Sequence, residues 1–396
     1  MCLLLGASAS CGLRAQTGEA AQAGAGAFER LSAQAAKASE QNRLEEAAAL
    51  YRKALALRPK WAEGWWSLGT LLYDQSKYAE AAKAFQRVDA LDSKNGTARV
   101  MLGLSQYELG QDDSALANLQ AGRKLGVADN PQMRNVMLYH EGLLLLRKGQ
   151  FGNAQEPLKR LSRDGVQSED LYLALGMCAL MMRPVDLPDK KAPGRGVVLE
   201  AGKAEALASL DKFGDARRSF AELANVFPDY PNLHYAYGRF LLETHDTDAA
   251  VSQFKAELQN NPRHLNSLLE IAAVRYRSDS DDGIKYAKEA VGLAPKLPFA
   301  HYLLGLLLLD TGNAAEALGE LEMARRAFPN EPSVYFALGS AYAKTGRKAD
   351  AAKARAMFLR LNAKKTKQPA ETVYGEQPSG LTQDKLQKAS PEQPYE

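Results

Sequence analysis

The segment WWSLGTLLY, residues 65–73, decides the fold of this chain. Its large apolar residues fall at i, i+3, i+4 and i+7, which is the spacing of one face of an α-helix. A polar break follows at residues 74–77, and the segment from Tyr78 to Leu91 then places Ala81 and Phe85 on one face of a second helix. We therefore predict a hairpin of two amphipathic helices, with small residues where the two backbones approach each other.

This pattern returns along the chain with a period of 34 residues. The glycine of the first helix recurs at that step in the pairs Gly69 and Gly103, Gly142 and Gly176, and Gly305 and Gly339. The alanine of the second helix recurs in the same way at Ala47, Ala81 and Ala115, and again at Ala216 and Ala250. Prolines such as Pro262 follow second helices and end them, because proline lacks the amide hydrogen. A fixed period of this kind indicates a stack of repeated helical hairpins.

The residue order of the first hairpin resembles the tetratricopeptide repeat, through Trp65, Leu68, Gly69, Ala81 and Phe85. Residues 304–329 match the same pattern, and the resemblance extends over most of residues 28–362 in eight or more units. It implies an all-α fold, a right-handed α-solenoid of about nine helical hairpins in which each repeat packs only on its neighbours.

Composition shifts divide the chain into segments around the repeats. In order, we expect a signal peptide at 1–15, a flexible lead-in at 16–27, an N-terminal solenoid at 28–182, an irregular insertion at 183–196, a C-terminal solenoid at 197–362 and a disordered tail at 363–396. Residues 1–15 are apolar, end in small residues and are too short to span a bilayer. A positively charged start is missing from them, so we expect that the start is either truncated or assigned too far downstream. The expected location is exported, periplasmic or secreted, with the cytoplasm as the alternative.

The insertion interrupts the repeat because it holds three prolines and two glycines, which predicts an irregular segment with a helix resuming at about Val197. Two interpretations remain open. The segment is a passive connector, since surface loops tolerate insertion well, or it is a binding loop or hinge.

Composition excludes some classes of function. The chain has 396 residues, a formal net charge of +3 at pH 7 and 46% hydrophobic residues. Because the charge is nearly balanced, it provides no electrostatic attraction to nucleic acid, and no nucleic-acid partner is predicted. The basic pair Lys190-Lys191 lies in the insertion, where a solvated loop explains it.

No constellation of residues points to catalysis. The five histidines fall in separate repeats or turns, and a metal site needs clustered ligands. If residues 1–15 are removed, Cys178 is the only cysteine left. No glycine-rich phosphate loop is found, and no turn suited to a nucleophilic serine. We predict no catalytic residues, no cofactor, no metal and no enzymatic activity.

The family resemblance implies where a partner binds. First helices of such solenoids line a concave groove with their second, fifth, ninth and twelfth residues. These positions hold a largely aromatic set in this chain: Trp66, Tyr73, Tyr107, Tyr139, Tyr235, Arg239, Tyr276, Phe299, Tyr302 and Phe336. Aromatic rings of this kind are enriched at binding hot spots. The alternative is that many of these rings pack on the adjacent repeat.

The groove lacks one feature of the family. Some members bind chaperone C-termini through a carboxylate clamp of lysine and asparagine, but the corresponding positions here hold Trp66, Thr70, Val100 and Leu104. The sequence therefore predicts a non-enzymatic scaffold that binds a protein or peptide through apolar contacts. The alternative is a structural or assembly subunit of a bacterial envelope complex that acts through its insertion and edges. A catalytic site at the insertion is the third and least supported hypothesis.

Overall fold

The computed structural model describes residues 10–127 and 130–365, which form 19 α-helices and one 3-10 turn and contain no β-strand. The chain divides into two compact units, unit 1 over residues 1–144 and unit 2 over residues 145–396. The helices of unit 1 are α1 (Ser10–Glu40), α2 (Leu44–Leu57), α3 (Ala62–Asp74), α4 (Tyr78–Leu91), α5 (Gly96–Glu108) and α6 (Asp112–Leu125). Helix α7 (Pro131–Arg147) crosses the boundary.

Unit 2 contains the remaining helices. They are α8 (Phe151–Arg163), α9 (Glu169–Ala179), α10 (Pro193–Ser209), α11 (Phe213–Val226), α12 (Leu233–Glu243), α13 (Thr247–Asn260), α14 (Leu265–Arg275), α15 (Ser280–Leu293), α16 (Pro298–Asp310), α17 (Ala314–Ala327), α18 (Pro332–Lys344) and α19 (Lys348–Lys365). The prediction of an all-α solenoid fold is confirmed. From α1 to α8 and from α10 to α19 the helices alternate as first and second helices of hairpins, and α9 is an additional first helix that packs directly on α10.

The repeat glycine is required by close packing inside a hairpin. A Cβ atom at Gly69 of α3 would lie 2.8 Å from the ring of Phe85 on α4. Phe85 is itself completely buried. The glycine on the first helix and the aromatic ring on the second are therefore one packing unit, which explains why both recur at a fixed step.

The insertion is more ordered and shorter than predicted. A 3-10 turn at Pro184–Asp186 follows α9, and α10 begins at Pro193 rather than near Val197. Residues 193–196 are helical because proline at the first position of a helix loses no hydrogen bond and has a suitable φ. The side chain of Asn232 donates to the carbonyl of Leu180 at 2.8 Å and so ties the residue that follows α9, three positions before the insertion, to a later repeat.

Helices α9 and α10 touch directly across the insertion. A Cβ at Gly176 would lie 1.8 Å from the Val198 carbonyl oxygen, and one at Gly202 would lie 1.6 Å from the Tyr172 carbonyl oxygen. The insertion therefore does not separate two bodies, and the compact units divide at residue 144 instead.

The ends of the chain differ from the sequence-based expectations in two places. Residues 16–27, expected as a flexible lead-in, lie within helix α1. Their alanine and glutamine content favours a helix, and this outweighs the glycines. Helix α19 continues to Lys365, three residues past the predicted end of the solenoid at 362. Residues 1–9 and 366–396, which hold most of the expected signal peptide and tail, lie outside the described residues.

Candidate partner-binding surface

Nine of the ten predicted groove residues lie on first helices, and Tyr276 is the residue that directly follows α14. We call the surface that these residues form within each unit the first-helix face of that unit. Four of the ten belong to unit 1: Trp66, Tyr73, Tyr107 and Tyr139. The other six belong to unit 2: Tyr235, Arg239, Tyr276, Phe299, Tyr302 and Phe336. Each unit therefore presents its own aromatic face.

The two rings on α3 are half-buried and are held by contacts within their hairpin. Trp66 packs edge-on against Phe85 with the ring centroids 5.5 Å apart. Tyr73 makes the same kind of contact with Tyr78 at 5.3 Å. Because their inner edges are fixed, these rings lose little conformational entropy when a partner covers the outer edges.

The remaining rings of unit 1 meet at one histidine. The ring centroids of Tyr107 and Tyr139 lie 4.6 and 5.7 Å from that of His140, both edge to face. His140 is oriented by a 2.8 Å contact between its Nδ1 atom and the carbonyl oxygen of Val136. These three half-buried rings form a continuous aromatic cluster.

Two of the predicted residues in unit 2 are buried in the core. Tyr235 is 6% exposed and Tyr302 is 3% exposed. The Tyr235 ring contacts His264 at 5.1 Å, immediately before the next first helix, α14. Tyr235 and Tyr302 occupy the fifth position of their repeats and are not available to a partner, whereas Trp66 at the same position is half-buried. Phe336 occupies that position on α18, the last first helix described, and is 59% exposed.

The other aromatic residues of unit 2 are accessible in part. Tyr276 is half-buried beneath the guanidinium of Arg277, 5.1 Å from the ring centroid. Phe299 is half-buried, and its ring contacts that of Tyr302 at 6.5 Å. Phe336 contacts Phe358 of α19 at 5.5 Å and leaves most of its surface open.

Arg239 is part of a charge network that the sequence did not reveal. Its Nη1 atom lies 2.7 Å from the Oε1 atom of Glu270 on α14, and this carboxylate raises the arginine pKa. Arg239 is therefore paired within the protein, and it is not an open receptor for a carboxylate of a partner.

A buried lysine extends the network toward α8. The Nζ atom of Lys159 lies 3.0 Å from Oε2 of Glu205 on α10 and 3.1 Å from Oε1 of Glu243 on α12. Burial alone would lower the pKa of Lys159, but the two carboxylates raise it above its usual range. Burial raises the pKa of Glu205. These charges are paired with one another, so the network joins helices α8, α10 and α12.

The chemistry of the described residues contains no metal centre. Within residues 10–127 and 130–365, no three His, Cys, Asp or Glu side chains come together in a way that could hold a metal ion. Cys178 is buried, and its thiol donates to the carbonyl of Phe151 at 3.0 Å. Burial raises the pKa of this thiol, so it is held in its unreactive form.

The repeat assignment is decided by a family model. The model of the Tetratricopeptide repeat matches residues 32–96, 202–264, 269–332 and 302–361, which is more than half of the chain. The chain belongs to the tetratricopeptide repeat family. The part of the chain that the structure describes has no helix that is long and apolar enough to cross a membrane.

Curated relatives are similar to this chain over part of their length. Protein O-mannosyl-transferase TMTC3 of Homo sapiens is 26% identical over 276 residues, which cover 65% of this chain and 29% of that protein. The protein of the same name from Mus musculus is 27% identical over 145 residues, or 36% of this chain and 15% of the other. The chain therefore spans less than a third of the length of these relatives.

Solved structures of MamA are also similar. One is 19% identical with a TM-score of 0.39 and matches 42% of this chain and 97% of its own. Another, from Desulfovibrio magneticus RS-1, is 22% identical with a TM-score of 0.40 and matches 45% of this chain and 100% of its own. Because these TM-scores are low, the similarity to MamA adds nothing to the family assignment, which depends on the family model alone.

Proposed function

We propose that this protein is a non-enzymatic scaffold that binds a protein or peptide segment on its first-helix face. Tetratricopeptide repeats are protein-interaction modules, and the single observation that carries the proposal is the row of accessible aromatic rings. Without the buried Tyr235 and Tyr302, the row consists of Trp66, Tyr73, Tyr107, Tyr139, Tyr276, Phe299 and Phe336.

Packing geometry supports the proposal. Aromatic side chains provide large contact areas and dominate binding hot spots. Here their inner edges pack on second helices or neighbouring rings, so they are preorganised. The transferase named in the curated relatives is not part of the proposal, because the chain spans only 29% and 15% of those proteins.

Capture of crosslinked partners from native cells, read out by mass spectrometry, tests the scaffold function. A Trp66→Ala/Tyr107→Ala/Phe336→Ala variant should recover partners about tenfold less well, because each substitution removes an exposed ring edge. A matched control, Val226→Ala/Phe213→Ala/Phe227→Ala, removes exposed apolar groups of α11 and the residue after it, and should behave as the wild type. Equal recovery by both variants, with unchanged circular dichroism, would contradict the proposal.

One observation favours the alternative of an assembly subunit that acts through its insertion. Val185 is 80% exposed on the 3-10 turn of the insertion, and the backbone on either side of this turn is held in place, because Asn232 donates to the carbonyl of Leu180 at 2.8 Å and Tyr230 donates to that of Gly194 at 3.1 Å. A Val185→Asp variant separates the two functions. Binding on the first-helix face predicts no loss of partner recovery, whereas binding through the insertion predicts a large one.

The proposed scaffold acts outside the cytoplasm, as the apolar segment at residues 1–15 favours. Mass spectrometry of the mature N-terminus tests this. Cleavage after Ala15 supports export, and an intact Met1 in the native protein contradicts it.

A further inference from the structure

Three carboxylates follow the aromatic row of unit 1 at the repeat period. Glu40, Asp74 and Glu108 are the last residues of α1, α3 and α5, and each is 34 residues from the next. All three are exposed. We call them the acidic edge of unit 1.

Helix stability does not explain these carboxylates. The C-terminus of an α-helix carries a partial negative charge, so an acidic residue there costs about 0.3–1 kcal/mol. The same end favours lysine or arginine, yet all three first helices of unit 1 end in an acid. Repeated placement at an unfavourable site requires another explanation.

The acidic edge adjoins the aromatic face. Burial, and then the charges of Glu108, Tyr78 and Asp74, raise the pKa of Tyr73 to about 12. Carboxylates of two successive first helices therefore lie within electrostatic reach of one half-buried ring. A ring beside two carboxylates is a site where a cation gains from both the charge and the ring face.

No cation of the described residues neutralises this edge. Among residues 10–127 of unit 1, the salt bridges join other carboxylates, such as Glu46 to Arg43 at 2.6 Å and Glu80 to Arg52 at 2.7 Å. Within the same part of the chain, Glu40, Asp74 and Glu108 take part in none.

Unit 2 differs at the same repeat position. There the residues are Arg147, Met181, Ser209, Glu243, Arg277, Asp310 and Lys344, and the charged ones are of both signs. The last four are each engaged: Glu243 with Lys159, Arg277 over the ring of Tyr276, Asp310 with the Ser280 hydroxyl at 2.7 Å, and Lys344 with the Leu309 carbonyl at 3.0 Å. The acidic edge is therefore a property of unit 1 and not of every repeat.

We propose that the first-helix face of unit 1 binds a basic polypeptide segment, whose lysine or arginine side chains reach Asp74 and Glu108 while its apolar parts cover Trp66 and Tyr107. This inference rests on the proposed scaffold function and specifies the chemistry of its partner. Charge complementarity selects such a segment, because it neutralises carboxylates that the fold leaves unpaired.

Selection of random displayed peptides on the full-length protein tests the inference without a known partner. Peptides that the wild type retains should be enriched in lysine and arginine over the starting library. Their affinity should fall as salt is added, because exposed charges are screened. On an Asp74→Asn/Glu108→Gln variant, the affinity of the selected peptides should fall roughly three- to tenfold, as expected for two exposed ion pairs.

A matched control removes two carboxylates elsewhere on unit 1. Glu45→Gln/Asp113→Asn changes exposed acids in the first turns of α2 and α6 and should leave the affinity unchanged. Selected peptides without basic enrichment that still lose binding on Trp66→Ala/Tyr107→Ala would overturn the basic partner and leave the scaffold function standing. Failure to retain any peptide, or equal binding by all variants, would overturn both.

Discussion

Glu141 is a buried carboxylate at a position that the repeat fills with apolar side chains. It precedes the repeat glycine Gly142, where other first helices have Leu68, Leu102 or Leu175, and it is 1% exposed. Its Oε1 atom lies 3.2 Å from the Nη2 atom of Arg123, while Oε2 has no hydrogen-bond partner. Burial raises the pKa of this carboxyl, although Arg123 and Gln120 oppose the effect. The period predicts that position 141 is buried, but it gives no packing reason for a glutamate.

Replacing this carboxylate should stabilise unit 1. We expect Glu141→Leu to raise the free energy of unfolding by about 1–3 kcal/mol at pH 7, because a half-paired buried charge is replaced by packing. The folded-state pKa of Glu141 is raised, so its cost is greatest above that pKa, shrinks as pH falls through it and is absent below the unfolded-state pKa. Urea unfolding at several pH values should show the gain shrinking on acidification. A loss of stability at pH 7 would mean that the carboxylate is a favourable part of the core.

His264 makes unit 2 sensitive to acid. It is buried, and burial lowers its pKa from 6.5 to about 4. Its Nδ1 atom accepts the backbone N–H of Ser267 at 3.2 Å, which caps α14. The folded state binds the proton less well than the unfolded chain. We therefore expect the contribution of His264 to stability to be complete above pH 6.5 and to be lost as pH falls from about 6.5 to about 4, by on the order of 3 kcal/mol.

A variant that keeps the cap isolates this effect. His264→Asn retains a side-chain acceptor for the end of the helix, and its stability should be nearly flat between pH 7 and pH 4.5 relative to the wild type. His245→Asn alters an exposed histidine in a turn and should preserve the slope. If the stability of His264→Asn and that of the wild type changed with pH in the same way, the acid sensitivity would belong to other groups.

At the scale of the element, the crossing of α9 and α10 depends on two glycines with different sequence signals. Gly176 is in phase with the repeat and could be predicted as a packing position. Gly202 is out of phase, because Ala204 occupies the place of the repeat glycine on α10. A side chain at position 202 would collide with the backbone of Tyr172 on another helix, and no local sequence pattern reveals this contact.

Gly202→Ala should destabilise unit 2 even though alanine favours a helix by about 1 kcal/mol. The new methyl group would meet a backbone oxygen at 1.6 Å, so the two helices must separate. We expect a net loss of about 2 kcal/mol or more in thermal or urea unfolding. Gly292→Ala is the matched control, since nothing lies within 4 Å of its Cβ and the helix preference should make it slightly stabilising. Equal behaviour of the two variants would show that α9 and α10 tolerate a wider separation.

At the scale of the whole molecule, contacts between residues that are close in the sequence could be predicted, whereas contacts between distant residues could not. Hairpins such as α3 and α4 could be derived from the sequence because Gly69 and Phe85 are close in the chain and repeat at a fixed step. The exposed aromatic row could be placed on first helices for the same reason, whereas the burial of Tyr235 and Tyr302 depends on the following repeat. The contact of Lys159 with Glu243 joins residues 84 apart and has no periodic counterpart. The sequence therefore predicts local packing well and the charge network not at all.

Because the repeats interact mainly with their neighbours, a destabilising substitution should affect mainly the helices near it. In repeat proteins the stability is approximately a sum of repeat and nearest-neighbour terms, so a defect acts mainly on the repeats beside it. Gly202→Ala should raise amide hydrogen exchange in α9, α10 and α11 by about tenfold or more, in keeping with a loss near 2 kcal/mol. The helices α2 to α5 of unit 1, far from the substitution along the chain, should exchange at the wild-type rate. A uniform rise in exchange across both units would instead mean that the whole chain unfolds as one cooperative body, and the two units would then share a single stability.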